Sequence, residues 1–159
     1  MKTDQLPILI GDDSELDVTL FERVFSRLGF RTESARDGAE VVAYLNGSGQ
    51  FADRILHPFP QALILDLKMP RMNGFDVLSW MRENPFQAVT PTIVFSTSNE
   101  PSDIKRAYQL GANTYFRKPI GYDELTSLLG KLVDYWNIAE RPSISQPELK
   151  VGRIPAMTC

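Results

Sequence analysis

Acids, hydroxyls and one lysine follow short β-type runs at several points of this sequence. The runs and the polar residues that end or follow them are PILIG (7–11) with Asp12 and Asp13, ALILD (62–66) with Asp66 itself, TIVFS (92–96) with Ser96, and NTYFR (113–117) with Lys118. Because the functional crevice of an open parallel sheet lies beyond the carboxyl ends of its strands, we expect these side chains to converge on one edge.

Three acids at one edge need a counter-charge. Two carboxylates about 4 Å apart repel by roughly 4 kcal/mol at an effective dielectric constant near 20, and one lysine offsets only part of that repulsion. A hard divalent cation with oxygen ligands completes the compensation. Mg²⁺ fits best, because it accepts one or two carboxylates, keeps several waters and leaves a position for a phosphoryl oxygen.

This chemistry assigns a role to each acid. A carboxylate at a strand end beside a metal can attack phosphorus, so Asp66 is predicted to accept a phosphoryl group. Asp13 is predicted to bind Mg²⁺ directly and Asp12 through a water, with the Asp66 carboxylate and the backbone carbonyl of Lys68 as further ligands. Together these groups would form a metal site with an acceptor inside it.

The bound phosphoryl group needs its charge neutralised. The Ser96 hydroxyl and the Lys118 ammonium are predicted to contact its oxygens. A cis bond between Lys118 and Pro119 is a further hypothesis for how the lysine is aimed.

The elements that must position these residues alternate along the chain. Five β-type runs, the four above and RTESA (31–35), are separated by helical patterns, which indicates βαβ units and a doubly wound α/β domain with a five-stranded parallel sheet and five helices. The first helix is predicted to open at Ser14, with Asp17 as its capping partner three residues later and a stripe of Leu16, Leu20, Val24 and Leu28 before Gly29. The last is predicted over about 121–140, with a stripe of Leu125, Leu128, Leu129, Leu132, Val133 and Trp136.

Size and charge narrow the class of protein. The 159 residues, 43% of them hydrophobic, favour one globular domain, predicted over 6–140, followed by a tail or arm at 141–159. The net charge of -3 gives no electrostatic reason to expect a nucleic acid or an anionic membrane as partner.

The single Cys159 and the early acids of the amino terminus favour the cytoplasm. His57, the only histidine, is expected to be solvated.

Taken jointly, these motifs resemble the receiver domain of two-component response regulators. The matching elements are Asp12-Asp13, the stretch DLKMPRMNG (66–74), Ser96-Thr97 and Lys118-Pro119, and the likeness covers about residues 6–140. The resemblance implies a flavodoxin-like fold with strand order 2-1-3-4-5. It also implies a phosphoprotein that takes its phosphoryl group from a sensor histidine kinase and hydrolyses it slowly, without being an enzyme in the ordinary sense.

The resemblance further implies how the signal leaves the domain. In such receivers the hydroxyl at the position of Ser96 moves toward the phosphate and the aromatic residue at the position of Tyr115 turns inward. The face of the fourth helix, fifth strand and fifth helix then changes its partners. Ser96 departs from the family's commoner threonine, which concerns the switching rate and leaves the chemistry intact.

Two segments carry a narrower likeness. The connection 46–61 and the stretch DYWNIAERP (134–142) are similar to small single-domain regulators that serve phytochrome-type kinases. Fewer than twenty residues follow residue 140, too few for a helix-turn-helix domain, so a stand-alone regulator with an unknown downstream protein partner is expected. An apolar patch of Tyr135, Trp136 and Ile138 suggests the hypothesis of a homodimer.

Two other functions compete with this interpretation. A phosphohydrolase with an aspartyl nucleophile needs a second acid two residues on, where this chain has Lys68. A receiver-shaped scaffold that takes no phosphate has no physical need for the acids, the hydroxyl and the lysine. Both alternatives can be tested by incubation with a phosphodonor.

Overall fold

Five short strands form one parallel sheet in the computed structural model, which describes residues 6–142. In chain order they are β1 (Ile8–Gly11), β2 (Thr32–Ala35), β3 (Ala62–Leu65), β4 (Thr92–Ser96) and β5 (Thr114–Arg117). Their spatial order is β2-β1-β3-β4-β5, so the predicted doubly wound sheet is confirmed. The register pairs Gly11 with Leu65, so β1 and β3 end level with each other.

The helices outnumber the prediction of five by one. They are α1 (Glu15–Arg27), α2 (Gly38–Asn46), α3 (Gly74–Glu83), α4 (Pro85–Ala88), α5 (Pro101–Gln109) and α6 (Tyr122–Ile138), with a 3₁₀ turn at Gly49–Phe51. The additional helix is the single turn α4. Pro85 has no N–H with which to continue α3, and its fixed φ suits the first position of a new turn. In the numbering of the structure, the predicted signalling face corresponds to α5, β5 and α6.

Both faces of the sheet are covered by apolar side chains. Ile10, Ile64 and Phe95 pack on one side against helices α1 and α6, while Leu63 and Val94 pack on the other side against α2, α3 and α5. Burial on both faces explains why the central strands β1, β3 and β4 are almost continuously hydrophobic in the sequence. The polar residues beyond the strand ends are thereby fixed to a rigid platform.

The first helix begins as predicted but buries a different stripe. Ser14 is its N-cap and accepts a hydrogen bond from the Asp17 N–H. Its buried residues are Phe21, Val24 and Phe25, whereas Leu16 is 69% exposed, so the predicted stripe was wrong at Leu16. The two phenylalanines fill the space between α1 and the sheet. The stripe predicted for α6 is confirmed, with Leu128 only partly buried.

The long connection 46–61 is packed against the domain. Phe51 and Phe59 are buried, and the Arg54 guanidinium donates to the carbonyls of Leu45 and His57 at 3.0 and 3.1 Å. His57 was expected to be solvated, and this was wrong: its ring packs edge-on against Phe51 and Tyr44, and its Nδ1 is buried without a hydrogen bond. The buried rings of Phe51 and Phe59 supply the apolar surface that packs the connection against the domain.

Two predictions concern the ends of the chain. The tail at 141–159 lies outside the described residues from Ser143 onward, and the domain boundaries at 6 and 140 stay predictions. Across residues 6–142, no helix combines the length and the apolar character needed to cross a bilayer.

Candidate phosphoryl and metal site

Three aspartates meet at the carboxyl ends of β1 and β3. Asp66 is held there by its backbone N–H, which donates to the Gly11 carbonyl at 2.8 Å, and the Asp12 N–H donates to the Ala35 carbonyl at 3.0 Å. One carboxylate oxygen from each of Asp12, Asp13 and Asp66 lies within 4.8 Å of the other two. Residues far apart in the sequence are therefore gathered as the strand pattern predicted.

The three carboxylates differ in their contact with solvent. Asp12 and Asp66 are buried, at 2% and 6% exposure, while Asp13 is exposed. Buried charges are costly unless they are paired or coordinate a metal. The set offers oxygen ligands only, which suits Mg²⁺ or Mn²⁺ better than a metal that prefers sulfur or imidazole. The exposed Asp13 leaves the cluster open on one side for an ion and its waters.

Lys118 is the cation of the site and is held by three carboxylates. Its Nζ lies 2.9 Å from Asp12 Oδ2, 2.9 Å from Asp17 Oδ2 and 3.3 Å from Asp66 Oδ2. Its backbone N–H donates to the Ser96 carbonyl at 2.8 Å, which fixes the lysine to the end of β4. Burial by itself lowers the pKa of Lys118, but the hydrogen bonds to Asp12 and Asp17 outweigh it and the pKa is raised. The ammonium therefore stays charged.

The hypothesis of a cis bond before Pro119 was wrong. No cis peptide bond occurs among residues 6–142, so the lysine is aimed without one. The hydrogen bond between the Lys118 N–H and β4 and the three carboxylates around Nζ account for its position.

Asp17 is a member of the site that sequence reasoning missed. It was interpreted only as the capping partner of Ser14, a contact that its backbone N–H does make. Its carboxylate, one helical turn beyond Asp13, reaches across to Lys118. The signal that could have found it is its position as an acid in the first turn of the helix that directly follows Asp12 and Asp13.

Asp66 combines a buried position with mixed electrostatics. Burial raises the pKa of its carboxyl, the Lys118 ammonium lowers it and the Asp12 carboxylate raises it again, which brings the pKa to about 6 from an ordinary 3.8. The carboxylate form is therefore present at neutral pH, but its burial lowers the stability of the native state. An ionised carboxylate with raised basicity is suited to act as a nucleophile.

The loop after Asp66 turns tightly over the site. The Lys68 N–H lies 3.4 Å from Asp66 Oδ1, and a Cβ at Gly74 would lie 2.3 Å from the backbone oxygen of Asp66, so only glycine fits there. Arg71 has a φ of 63° and pairs with the buried Asp37 at the start of α2. The loop is thus anchored at both ends. The role of the Lys68 carbonyl as a metal ligand stays a prediction.

Ser96 and Tyr115 are linked through Ser98. Ser96 is fully buried, and its hydroxyl accepts a hydrogen bond from the Ser98 N–H at 3.2 Å rather than contacting Asp66. The Tyr115 hydroxyl donates to the Ser98 carbonyl at 2.8 Å. Both candidate switch residues therefore bind the same loop between β4 and α5. Their roles in switching stay predictions.

Comparison with known protein families gives one match. The family described as the response regulator receiver domain matches residues 8–130, which includes Asp12, Asp13, Asp66, Ser96 and Lys118. The probable methanogenesis regulatory protein FilR2 of Methanothrix harundinacea is 32% identical over 138 residues, which cover 84% of each chain.

Two cyanobacterial response regulators are also similar to this chain. The response regulator Rcp1 of Synechocystis is 28% identical over 131 residues, which cover 81% of this chain and 87% of Rcp1. The crystal structure of Mn²⁺-bound Rcp1 superimposes with a TM-score of 0.78 at 26% identity and covers 87% of this chain and 99% of that one. The phosphorylated cyanobacterial phytochrome response regulator RcpA superimposes with a TM-score of 0.80 at 27% identity, covering 87% of this chain and 99% of RcpA. With its fold, its acidic cluster and the family match over most of its length, the chain belongs to the response regulator receiver domain family.

Proposed function

We propose that this protein is a phosphorylation-dependent signalling switch, in which Asp66 accepts a phosphoryl group from a sensor histidine kinase. The observation that carries the proposal is the close set of Asp12, Asp13 and Asp66 with Lys118 bound to two of them. Receiver domains bind Mg²⁺ or Mn²⁺ at an acidic pocket, and this cluster has the ligand chemistry for it.

The transfer step follows from the positions of these groups. An Asp66 carboxylate oxygen forms a bond to phosphorus while the bond from phosphorus to the phosphohistidine nitrogen of the donor breaks, and the imidazole leaves. The Lys118 ammonium, at present 3.3 Å from Asp66 Oδ2, is placed to bind an oxygen of the transferred group. Asp13, Asp66, the Lys68 carbonyl and, through water, Asp12 would hold a Mg²⁺, which would supply positive charge to the phosphoryl oxygens.

The signal would leave through the surface of α5, β5 and α6. Ser96 and Tyr115 both contact Ser98, so a movement of the Ser96 hydroxyl toward a phosphoryl group removes a bond from the loop that Tyr115 also holds. Tyr115 lies on β5, and the hydroxyl of Tyr108 on α5 accepts from its N–H. This chain of contacts supports a switch that couples the site to an unknown downstream protein.

A phytochrome-type kinase is the proposed donor. The likeness to Rcp1 and RcpA supports this choice, and the segments 46–61 and 134–142 are the ones from which it was predicted. Such a kinase and its regulator would meet in the cytoplasm.

A homodimer stays a hypothesis. It now rests on Tyr135 and Ile138, which are exposed, because Trp136 is buried in the core. Sedimentation of a monomer with and without beryllofluoride would remove it.

Intact mass after incubation with acetyl phosphate and Mg²⁺ tests the acceptor. We expect one phosphoryl group on the wild-type protein, none on Asp66→Asn, and none on the wild-type protein when EDTA removes the metal. Asp134→Asn is the matched control, because Asp134 is an exposed aspartate on α6, and it should behave as wild type.

Two results would contradict the proposal. An unmodified wild-type protein would favour a scaffold without phosphoryl chemistry, and a modified Asp66→Asn would place the acceptor elsewhere. Transfer from a purified phytochrome-type kinase, followed in the same assay, tests the donor separately from the acceptor.

A further inference from the structure

Asp17 contacts the lysine of the site without belonging to the metal cluster. Its Oδ2 lies 2.9 Å from Lys118 Nζ, the same distance as Asp12 Oδ2 and closer than Asp66 Oδ2. Its backbone is fixed in the first turn of α1, where the N–H is capped by Ser14 Oγ. The close acidic set contains Asp12, Asp13 and Asp66 but not Asp17. Asp17 is therefore a partner of the lysine and not of the ion.

The Lys118 ammonium donates a hydrogen bond to Asp17 and has one carboxylate neighbour for each of its N–H groups. An ammonium group has three N–H donors, and three carboxylates surround Lys118 Nζ. A phosphoryl oxygen on Asp66 can take the place of Asp66 Oδ2 without displacing Asp17. The Asp17 contact can thus persist through metal binding and phosphorylation. Asp17 then still neutralises part of the positive charge of Lys118 when a phosphoryl group is bound.

We propose that Asp17 is a positioning residue that acts through Lys118: it draws the ammonium toward α1, favours binding of Mg²⁺ and weakens the hold of the site on the phosphoryl group. The inference rests on the proposed function and adds to it a residue that sets the balance between the two ligands. The Asp17 carboxylate partly neutralises the charge of Lys118, which lowers the repulsion between the ammonium and a bound Mg²⁺. The same negative charge repels the phosphoryl anion.

The two effects have opposite signs, which distinguishes positioning from simple support of the fold. A substitution that merely loosened the site would weaken cation and anion binding together. Asp17→Asn keeps an oxygen acceptor for Lys118 and removes the charge, so the lysine stays oriented while its compensation is lost. Asp17 is partly exposed, at 32% of its side chain, so solvent screening limits the change to about threefold to tenfold in each affinity.

Isothermal titration calorimetry with Mg²⁺, and then with beryllofluoride at saturating Mg²⁺, tests the inference. For Asp17→Asn we expect Mg²⁺ affinity to fall about threefold to tenfold and beryllofluoride affinity to rise about threefold to tenfold. Glu15→Gln is the matched control, because it removes the same charge from the same turn of α1 while its side chain pairs with Arg36. Each affinity of that control should stay within about twofold of wild type. Asp17→Glu, which restores the charge, should move both affinities back toward wild type.

The possible failures are distinguishable. Parallel loss of both affinities in Asp17→Asn, or equal changes in Asp17→Asn and Glu15→Gln, would overturn the inference and leave the acceptor role of Asp66 standing. A wild-type protein that binds no beryllofluoride and gains no phosphoryl mass would overturn the proposed function and the inference with it. Thermal unfolding of each variant shows whether it is folded, and an unfolded Asp17→Asn would assign Asp17 to fold stability and overturn the positioning role.

Discussion

The two ends of the same sheet are built on opposite principles. At the carboxyl ends of the strands, Asp12, Asp66 and Lys118 are charged and withdrawn from solvent. At the amino ends, the residues before β3 are aromatic: Phe59 is fully buried and packs edge-on against Phe86 with the ring centroids 5.3 Å apart. The Tyr44 hydroxyl donates to the Pro58 carbonyl at 2.9 Å, which pairs a backbone group of the same segment.

The difference shows which edge of the sheet lowers the stability of the native state. The amino edge is filled by aromatic rings that pack within the chain, whereas the carboxyl edge gathers four carboxylates, three of them around one lysine, and leaves a surplus of negative charge. A bound cation would neutralise that surplus, and ligand binding to the native state adds stability. Substitutions at the two edges should therefore have opposite effects on folding.

Removal of an aromatic ring at the amino edge should have the largest effect. Phe59→Ala deletes a fully buried ring, and we expect the free energy of unfolding to fall by about 3–5 kcal/mol. Mg²⁺ affinity should stay within about twofold, because the acidic cluster lies at the other end of the strands. Urea unfolding and a Mg²⁺ titration measure the two quantities. Comparable losses in both would show that the edges are not independent.

Removal of the Asp66 carboxylate should stabilise the metal-free protein. The pKa of Asp66 is about 6 when folded against 3.8 ordinarily, so ionisation of this buried group disfavours the native state by about 3 kcal/mol at pH 8. Asp66→Asn should raise the free energy of unfolding by up to that amount. Because the folded pKa is raised, the wild-type contribution is favourable below pH 3.8 and is lost as the pH rises through 6, so the gain should vanish at low pH.

Urea unfolding in EDTA at pH 8 and at pH 4 measures this difference. Asp134→Asn serves again as the control and should change stability little at either pH, since Asp134 is exposed. An Asp66→Asn protein that is no more stable than wild type at pH 8 would mean that Lys118 fully compensates the buried carboxylate.

The hydroxyl of Tyr115 should have the smallest effect of the three. Tyr115→Phe removes one hydrogen bond to the Ser98 carbonyl and should lower the free energy of unfolding by about 1 kcal/mol. Phosphoryl gain from acetyl phosphate should be unchanged, because the Tyr115 hydroxyl bonds to the Ser98 carbonyl and not to a member of the acidic cluster. Tyr135→Phe, at an exposed tyrosine, is the control and should be neutral. A loss of phosphoryl gain in Tyr115→Phe alone would make the tyrosine part of the chemistry.

Much of the fold followed from local patterns. The five strands were predicted to within one residue at each end, and the apolar runs of β1, β3 and β4 reflect burial on both faces. Ser14 was recognised as a cap from its type and spacing. The errors came where neighbours in space decided: α1 uses Phe21 and Phe25 because of the sheet opposite them, and His57 is covered by the aromatic rings of Phe51 and Tyr44.

The sequence by itself determined which residues meet at the carboxyl edge. Parallel strands end at one edge, so Asp12, Asp13, Asp66 and Lys118 had to converge once the strands were recognised. Only the tertiary structure decided how the lysine divides its hydrogen bonds, because the Asp17 carboxylate reaches Lys118 from a helix 101 residues away in the chain. Strand ends are set by short-range pattern, whereas the partner of a long side chain is set by packing between elements distant in sequence.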